Sequence, residues 1–138
     1  MGTIIALRGR GNSGKSETIR ILHELLLQNS YRQVRSDLGT HVDFTAIVEK
    51  KKKLVGVTSV GDTFDLVHDR LEELINAGCE ICVCACRTHD RGGHGTNAAI
   101  DSFANYTKQY LDKTISSNHG QANQVDAQRI LDNAEKLL

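Results

Sequence analysis

Proline is absent from the 138 residues. Turns therefore fall wholly on glycine, Asn and Asp, and the missing proline excludes nothing about function. A charge excess is missing too: 17 Lys and Arg stand against 17 Asp and Glu. No global basic field draws the chain to nucleic acid, and no acidic excess marks disorder or a cation-binding surface. A nucleic-acid role would need a local patch. No apolar run reaches the roughly 20 residues that cross a bilayer, so no membrane partner is expected. Thr3 already opens an apolar strand, which leaves no space for a targeting segment, and the expected compartment is the cytoplasm. Internal repeats and low-complexity stretches are missing as well. The four cysteines are bunched at Cys79, Cys82, Cys84 and Cys86 and are not spread as a disulfide framework. Their alternation with Val83 and Ala85 predicts a strand buried on both faces, in which thiols serve as small hydrophobes and not as metal ligands.

What is present is an ordinary globular composition, 39% hydrophobic and 25% charged, sized for one domain with one core over residues 1–138. Its organising stretch is the apolar run Thr3 to Arg8 followed by Gly9-Arg10-Gly11-Asn12-Ser13-Gly14-Lys15-Ser16 and a helical pattern from Lys15 to about Asn29. Strand, glycine-rich loop and helix in that order carry every fixed residue of a phosphate-binding Walker A loop. The glycines let the backbone turn tightly and approach an anion with no Cβ in the way, so that successive N–H groups point at it. The helix adds the positive end of its dipole, Lys15 reaches the β- and γ-phosphates, and the Ser16 hydroxyl is placed to ligate Mg2+. Gly9, Gly11, Asn12, Ser13, Gly14, Lys15, Ser16 and Glu17 make up the expected binding set.

Beyond the first helix, residues 31–42 show no period and read as a connecting loop containing Asp37. Asp43 to Glu49 and Lys53 to Val60 are strand-like and joined by lysines, the spacing of an antiparallel hairpin with the Asp43 strand at an edge. Lys50 to Lys53 are read as solvating the turn. Apolar positions from Phe64 to Ile75 mark a helix with Asp62 or Thr63 as its N-cap and Gly78 as its C-terminal cap. The cysteine strand follows, ending at Arg87, and then a polar loop through Thr96. Ala99 to Leu111 reads as a third helix, Ser116 to Gln121 as a linker, and Ala127 to Leu137 as a fourth helix.

That order suits a three-layer α/β/α sandwich on a small, mixed, mostly parallel sheet with one β-hairpin. The Lys53 strand, its following helix and the cysteine strand form a right-handed crossover and so run parallel. Ligands bind at the carboxyl ends of parallel strands, which gathers the glycine-rich loop, Ser59 to Thr63 and Arg87 to Thr96. Phosphoryl transfer needs an acid to position metal or water and cations to stabilise charge on the γ-phosphoryl. Asp62 is the first candidate for the acid, with Asp90 and Asp37 in reserve; Arg87 and Arg91 suit the cationic role, and Lys15 completes the expected catalytic set. His89 and His94 read as surface residues.

Residues 3 to 16 resemble those of the P-loop NTPase superfamily, and the expected sandwich is similar to that superfamily over most of the chain. The resemblance implies that Gly9, Gly14, Lys15 and Ser16 hold nucleotide and Mg2+, with backbone contacts from Asn12 and Ser13. The guanine-reading Asn-Lys-x-Asp segment of GTPases is missing, so ATP is favoured over GTP by elimination. The implied function is a Mg2+-dependent, ATP-binding NTP hydrolase. Its alternatives are a small P-loop kinase acting on a nucleotide or metabolite, and a non-catalytic nucleotide-binding regulator. A protein partner or a homo-oligomer remains open.

Overall fold

A computed structural model describes residues 2–11, 13–37, 44–60, 63–90 and 95–138. The fold is α/β, with a mixed sheet of six strands in the order β2-β3-β4-β5-β1-β6. Its elements are β1 (Thr3–Arg8), α1 (Lys15–Gln28), β2 (Arg32–Asp37), β3 (Thr45–Lys50), β4 (Lys53–Thr58), α2 (Phe64–Asn76), β5 (Cys79–Cys86), α3 (Thr96–Asp101), β6 (Thr107–Asp112) and α4 (His119–Lys136).

β1 lies between β5 and β6 and is parallel to both, and β5 is parallel to β4. β3 runs antiparallel to β4 and to β2. The central strands are buried on both faces, which is why they read as near-continuous apolar runs. Alternate residues of β1 show how the layers divide. Ile5 and Leu7 join the cluster formed with α1 and α4, while Ile4 and Ala6 join the cluster with α2 and α3. Cys82, Cys84 and Cys86 face the α2/α3 side among Leu71, Leu74 and Ile100. Burial pushes the Cys79 thiol up to about 11, more than the Arg35 charge takes back, and raises the Cys82 and Cys84 thiols as well.

Three expectations need correction. Residues 31–42 are not all connection, because β2 occupies Arg32–Asp37 as the edge strand, and β3 is interior. The expected hairpin is there as β3 and β4, and it gains a third antiparallel neighbour in β2. Its residues gave no period because an edge strand rich in charge buries no regular face, and it keeps to itself with ion pairs such as Arg32 to Glu49 at 2.7 Å. The helix expected over Ala99 to Leu111 stops at Asp101, and Thr107–Asp112 is β6 on the opposite edge. Phe103, Thr107, Tyr110 and Leu111 match a helical spacing, yet Tyr106 and Tyr110 pack on one face of the sheet and Leu111 on the other, the period-2 alternation of a strand. Lastly, the lysine turn is only half solvated. Lys50 Nζ donates to the Asn29 carbonyl at 3.0 Å and Lys53 Nζ to the Leu137 carbonyl at 3.3 Å, cations placed at the C-terminal ends of α1 and α4.

Candidate functional site

β1 delivers the chain to the glycine-rich loop at the carboxyl edge of the sheet. There the Gly9 N–H still donates to the Cys86 carbonyl at 3.1 Å, and the Lys113 N–H donates to the Arg8 carbonyl at 2.7 Å. The loop is therefore fastened to both flanking strands where it leaves the sheet. Gly11 lies so close to Arg87 that a Cβ there would stand 2.7 Å from a guanidinium nitrogen. Gly14 has φ +92°, a left-handed conformation that only glycine adopts without strain. Its carbonyl then accepts the Thr18 N–H at 2.9 Å, the first bond of α1.

Lys15 is largely buried and turns back over the loop, its Nζ donating to the carbonyls of Gly9 at 2.7 Å and Arg10 at 2.6 Å. The Ser13 hydroxyl donates to the same Arg10 carbonyl at 2.7 Å. Ser16 is half-buried and Glu17 exposed in the first turn of α1. Asn12 lies outside the described residues.

Two further loops leave the sheet at this edge. After β4, the Ser59 hydroxyl accepts the Phe44 N–H at 2.8 Å. Thr63 caps α2 by accepting the Leu66 N–H at 3.3 Å, which settles which of Asp62 and Thr63 is the cap. Asp62 itself lies outside the described residues. After β5, the Arg87 N–H donates to the Thr96 hydroxyl at 2.8 Å and the Arg87 carbonyl accepts from Asn97 Nδ2 at 2.9 Å, so the backbone of Arg87 is held by the start of α3. Arg91 and His94 lie outside the described residues, and His89 is exposed.

Asp90 has a defined role at this edge. Its carboxylate accepts the backbone N–H groups of Asn97 at 2.9 Å and Ala98 at 2.8 Å, together with Asn97 Nδ2 at 2.9 Å. Partial burial would raise its pKa, but these hydrogen bonds outweigh that and hold the carboxyl below its usual value. Asp90 is thus engaged in capping α3. Asp37 ends β2, separated from β1 by three strands, on the order of 20 Å across the sheet. Between the glycine-rich loop and the loops after β4 and β5 opens a cleft of about 560 Å3, lined by Arg10, Gly11, Thr63, Phe64, Arg87 and Asp90 among others.

Two residues of α4 that no motif singled out hold the site from behind. Asn123 of α4 presses on Gly14. Asp126, one helical turn on, forms an ion pair with Lys113 at 3.0 Å with both side chains almost wholly buried. It also accepts the Thr114 N–H at 2.7 Å, the Thr114 hydroxyl at 2.5 Å and Arg129 Nη1 at 2.8 Å. A signal for them existed. Stepping back by four from Ala127 and Ile130 puts Asn123 and Asp126 on the same buried stripe of α4, where a polar residue must have a partner.

No protein-family model matches this chain, and no curated protein matches it either. Among solved structures it is similar to one titled "Crystal structure of APE1195", with 14% sequence identity and a TM-score of 0.41 over 98% of this chain and 72% of that one. A likeness of that size carries no weight for fold or function.

Proposed function

We propose that the chain binds a purine nucleoside triphosphate with Mg2+ at Gly9 to Ser16, as P-loop NTPases do, and hydrolyses it. The observation that carries this reading is the placement of Lys15. Its ammonium is held over the mouth of the loop by the Gly9 and Arg10 carbonyls, 2.7 and 2.6 Å away, where a β- or γ-phosphate would meet it. The close approach at Gly11 and the left-handed Gly14 fit a backbone shaped around an anion.

The Ser16 hydroxyl would hold Mg2+, and Asp62, which precedes the Thr63 that caps α2, is the acid assigned to metal or water. Bound Mg2+ would supply charge neutralisation across the β- and γ-phosphate oxygens. Arg87, packed against Gly11, would stabilise charge on the γ-phosphoryl, with Arg91 as a second cation from the same loop. In hydrolysis a water oxygen bonds to the γ-phosphorus as its bond to the bridging oxygen breaks, releasing the nucleoside diphosphate and inorganic phosphate.

The cleft of about 560 Å3 beyond Gly11 favours one second reading. A water needs far less space, and a volume in this range suits a small-molecule acceptor, as in a small P-loop kinase. The first experiment is calorimetric titration of Mg2+–ATP into the wild type and Lys15→Ala. Binding by the wild type and at least tenfold weaker binding by the variant is expected; equal binding by both, or none by either, would sink the proposal. Diphosphate release measured with and without a panel of metabolites and nucleoside monophosphates then separates hydrolase from kinase.

A further inference from the structure

The sheet ends in two edges of different character. At β2 the register against β3 is broken between Gln33 and Arg35, and the charges are spent inside the chain, Arg32 on Glu49 and Arg35 on Glu73. A bulged, ion-paired edge discourages further pairing. β6 carries neither guard. It keeps unbroken register with β1 from Thr107 to Asp112.

The direction of its backbone follows from its two ends. The Thr107 N–H donates to the Gly2 carbonyl at 2.9 Å and the Lys113 N–H to the Arg8 carbonyl at 2.7 Å, so the odd-numbered residues of β6 bond inward to β1. Lys108, Tyr110 and Asp112 therefore aim their N–H and C=O groups outward. Arg129 Nη1 donates to the Asp112 carbonyl at 3.2 Å, which leaves that oxygen a second lone pair. The side chains of the same three residues share one face of the sheet. Tyr110 packs there with the α2/α3 cluster, its hydroxyl donating to Asp101 at 2.6 Å and the Arg8 guanidinium 4.0 Å from its ring centre. Lys108 and Asp112 flank it with opposite charges. Four residues apart on a strand, about 13 Å, they are too distant to pair with one another.

We propose that β6 is a homodimer edge, pairing antiparallel with β6 of a second copy about a two-fold axis at Tyr110. This register sets Lys108 of each copy opposite Asp112 of the other, and the axis makes both pairs at once. The same register turns the outward N–H and C=O groups of Lys108, Tyr110 and Asp112 into hydrogen-bonded pairs across the axis. A second copy is the occupant this edge fits because its charge pattern is its own complement: read in reverse, Lys-Gln-Tyr-Leu-Asp places acid against base at both ends. The proposal is independent of what binds at the glycine-rich loop.

The test is sedimentation of the whole chain over a range of concentrations. The wild type is expected to pass from monomer to dimer at roughly 10 to 100 μM, as suits a small interface. Lys108→Glu and Asp112→Lys each set like charges at both symmetric positions and are expected to weaken association about tenfold or more. Lys108→Glu combined with Asp112→Lys restores opposite charges and should return association to within about threefold of wild type. Melting temperatures of the dilute proteins, expected to agree, show that each variant is folded. Amide hydrogen exchange in the wild type gives a reading that needs no variant: the Lys108, Tyr110 and Asp112 amides should slow as concentration rises. A wild type that stays monomeric throughout, a dimer that both single variants leave intact, a folded double variant that fails to recover, or unchanged exchange at those amides would each overturn the proposal.

Discussion

Asn123 occupies the space that a side chain on Gly14 would need: its Oδ1 lies 2.6 Å from where a Cβ would stand. The Thr18 hydroxyl sits between them, 2.7 Å from the Gly14 carbonyl and 3.1 Å from Asn123 Oδ1. Residues more than a hundred positions apart thus form one clasp, in which α4 serves as the backstop of the loop. Gly14→Ala is expected to suffer twice, from the left-handed backbone and from the clash with Asn123, and to lose about 2 kcal/mol or more in denaturant unfolding. Gly14→Ala combined with Asn123→Ala removes the clash alone and should recover part of the loss, leaving about 1 kcal/mol. Full recovery would show that the backbone conformation carries no strain.

The β3–β4 connection puts two residues with side chains in the same left-handed region. Lys51 and Lys52 have φ of +52° and +65°, the left-handed pair that a two-residue hairpin turn demands and that Asn-Gly meets at little cost. Both side chains are exposed, so no packing opposes a change. Replacing Lys51 with Asn and Lys52 with Gly is expected to stabilise the protein by about 1 kcal/mol, raising the melting temperature by a few degrees. Lys50 and Lys53 should behave in the opposite way. Each reaches a helix C-terminus, and Lys50→Ala is expected to cost stability where Lys51→Ala does not.

How far the sequence told of this structure follows from what each segment buries. β1, β4 and β5 were legible because strands buried on both faces must be apolar throughout, and α1 and α2 because their buried residues recur at the helical period. Both edge strands escaped. β2 is charged along its length, and β6 is half-buried, with Thr107, Tyr110 and Leu111 continuing from Phe103 at a spacing that also fits a helix. The site divides in the same way. Gly9 to Ser16 can be singled out from local spacing, since the glycines, Lys15 and Ser16 of the proposed loop sit on one continuous stretch. The clasp from Asn123 and the anchor at Asp126 depend on where α4 lands, a tertiary fact that no local spacing encodes.

Asp126 makes that anchor sensitive to acid. Burial alone would raise its pKa, but the hydrogen bonds from the Thr114 hydroxyl and N–H, from Lys113 and from Arg129 prevail and hold the carboxyl below its usual value. Because the folded pKa lies below the unfolded value of about 3.9, this group adds stability that is fully present above that value and lost as pH falls through the folded pKa. Asp126→Asn removes the charge and leaves Lys113 buried without its counter-ion, a change expected to cost about 3 kcal/mol or more at neutral pH. Thermal melts from pH 7 down to pH 2 provide the check. The gap between wild type and variant should hold from pH 7 to about pH 5 and narrow in acid, as the wild-type carboxyl takes up its proton. A gap of constant width across that range would mean that the carboxylate charge contributes nothing and that Asp126 holds Thr114 by hydrogen bonding alone.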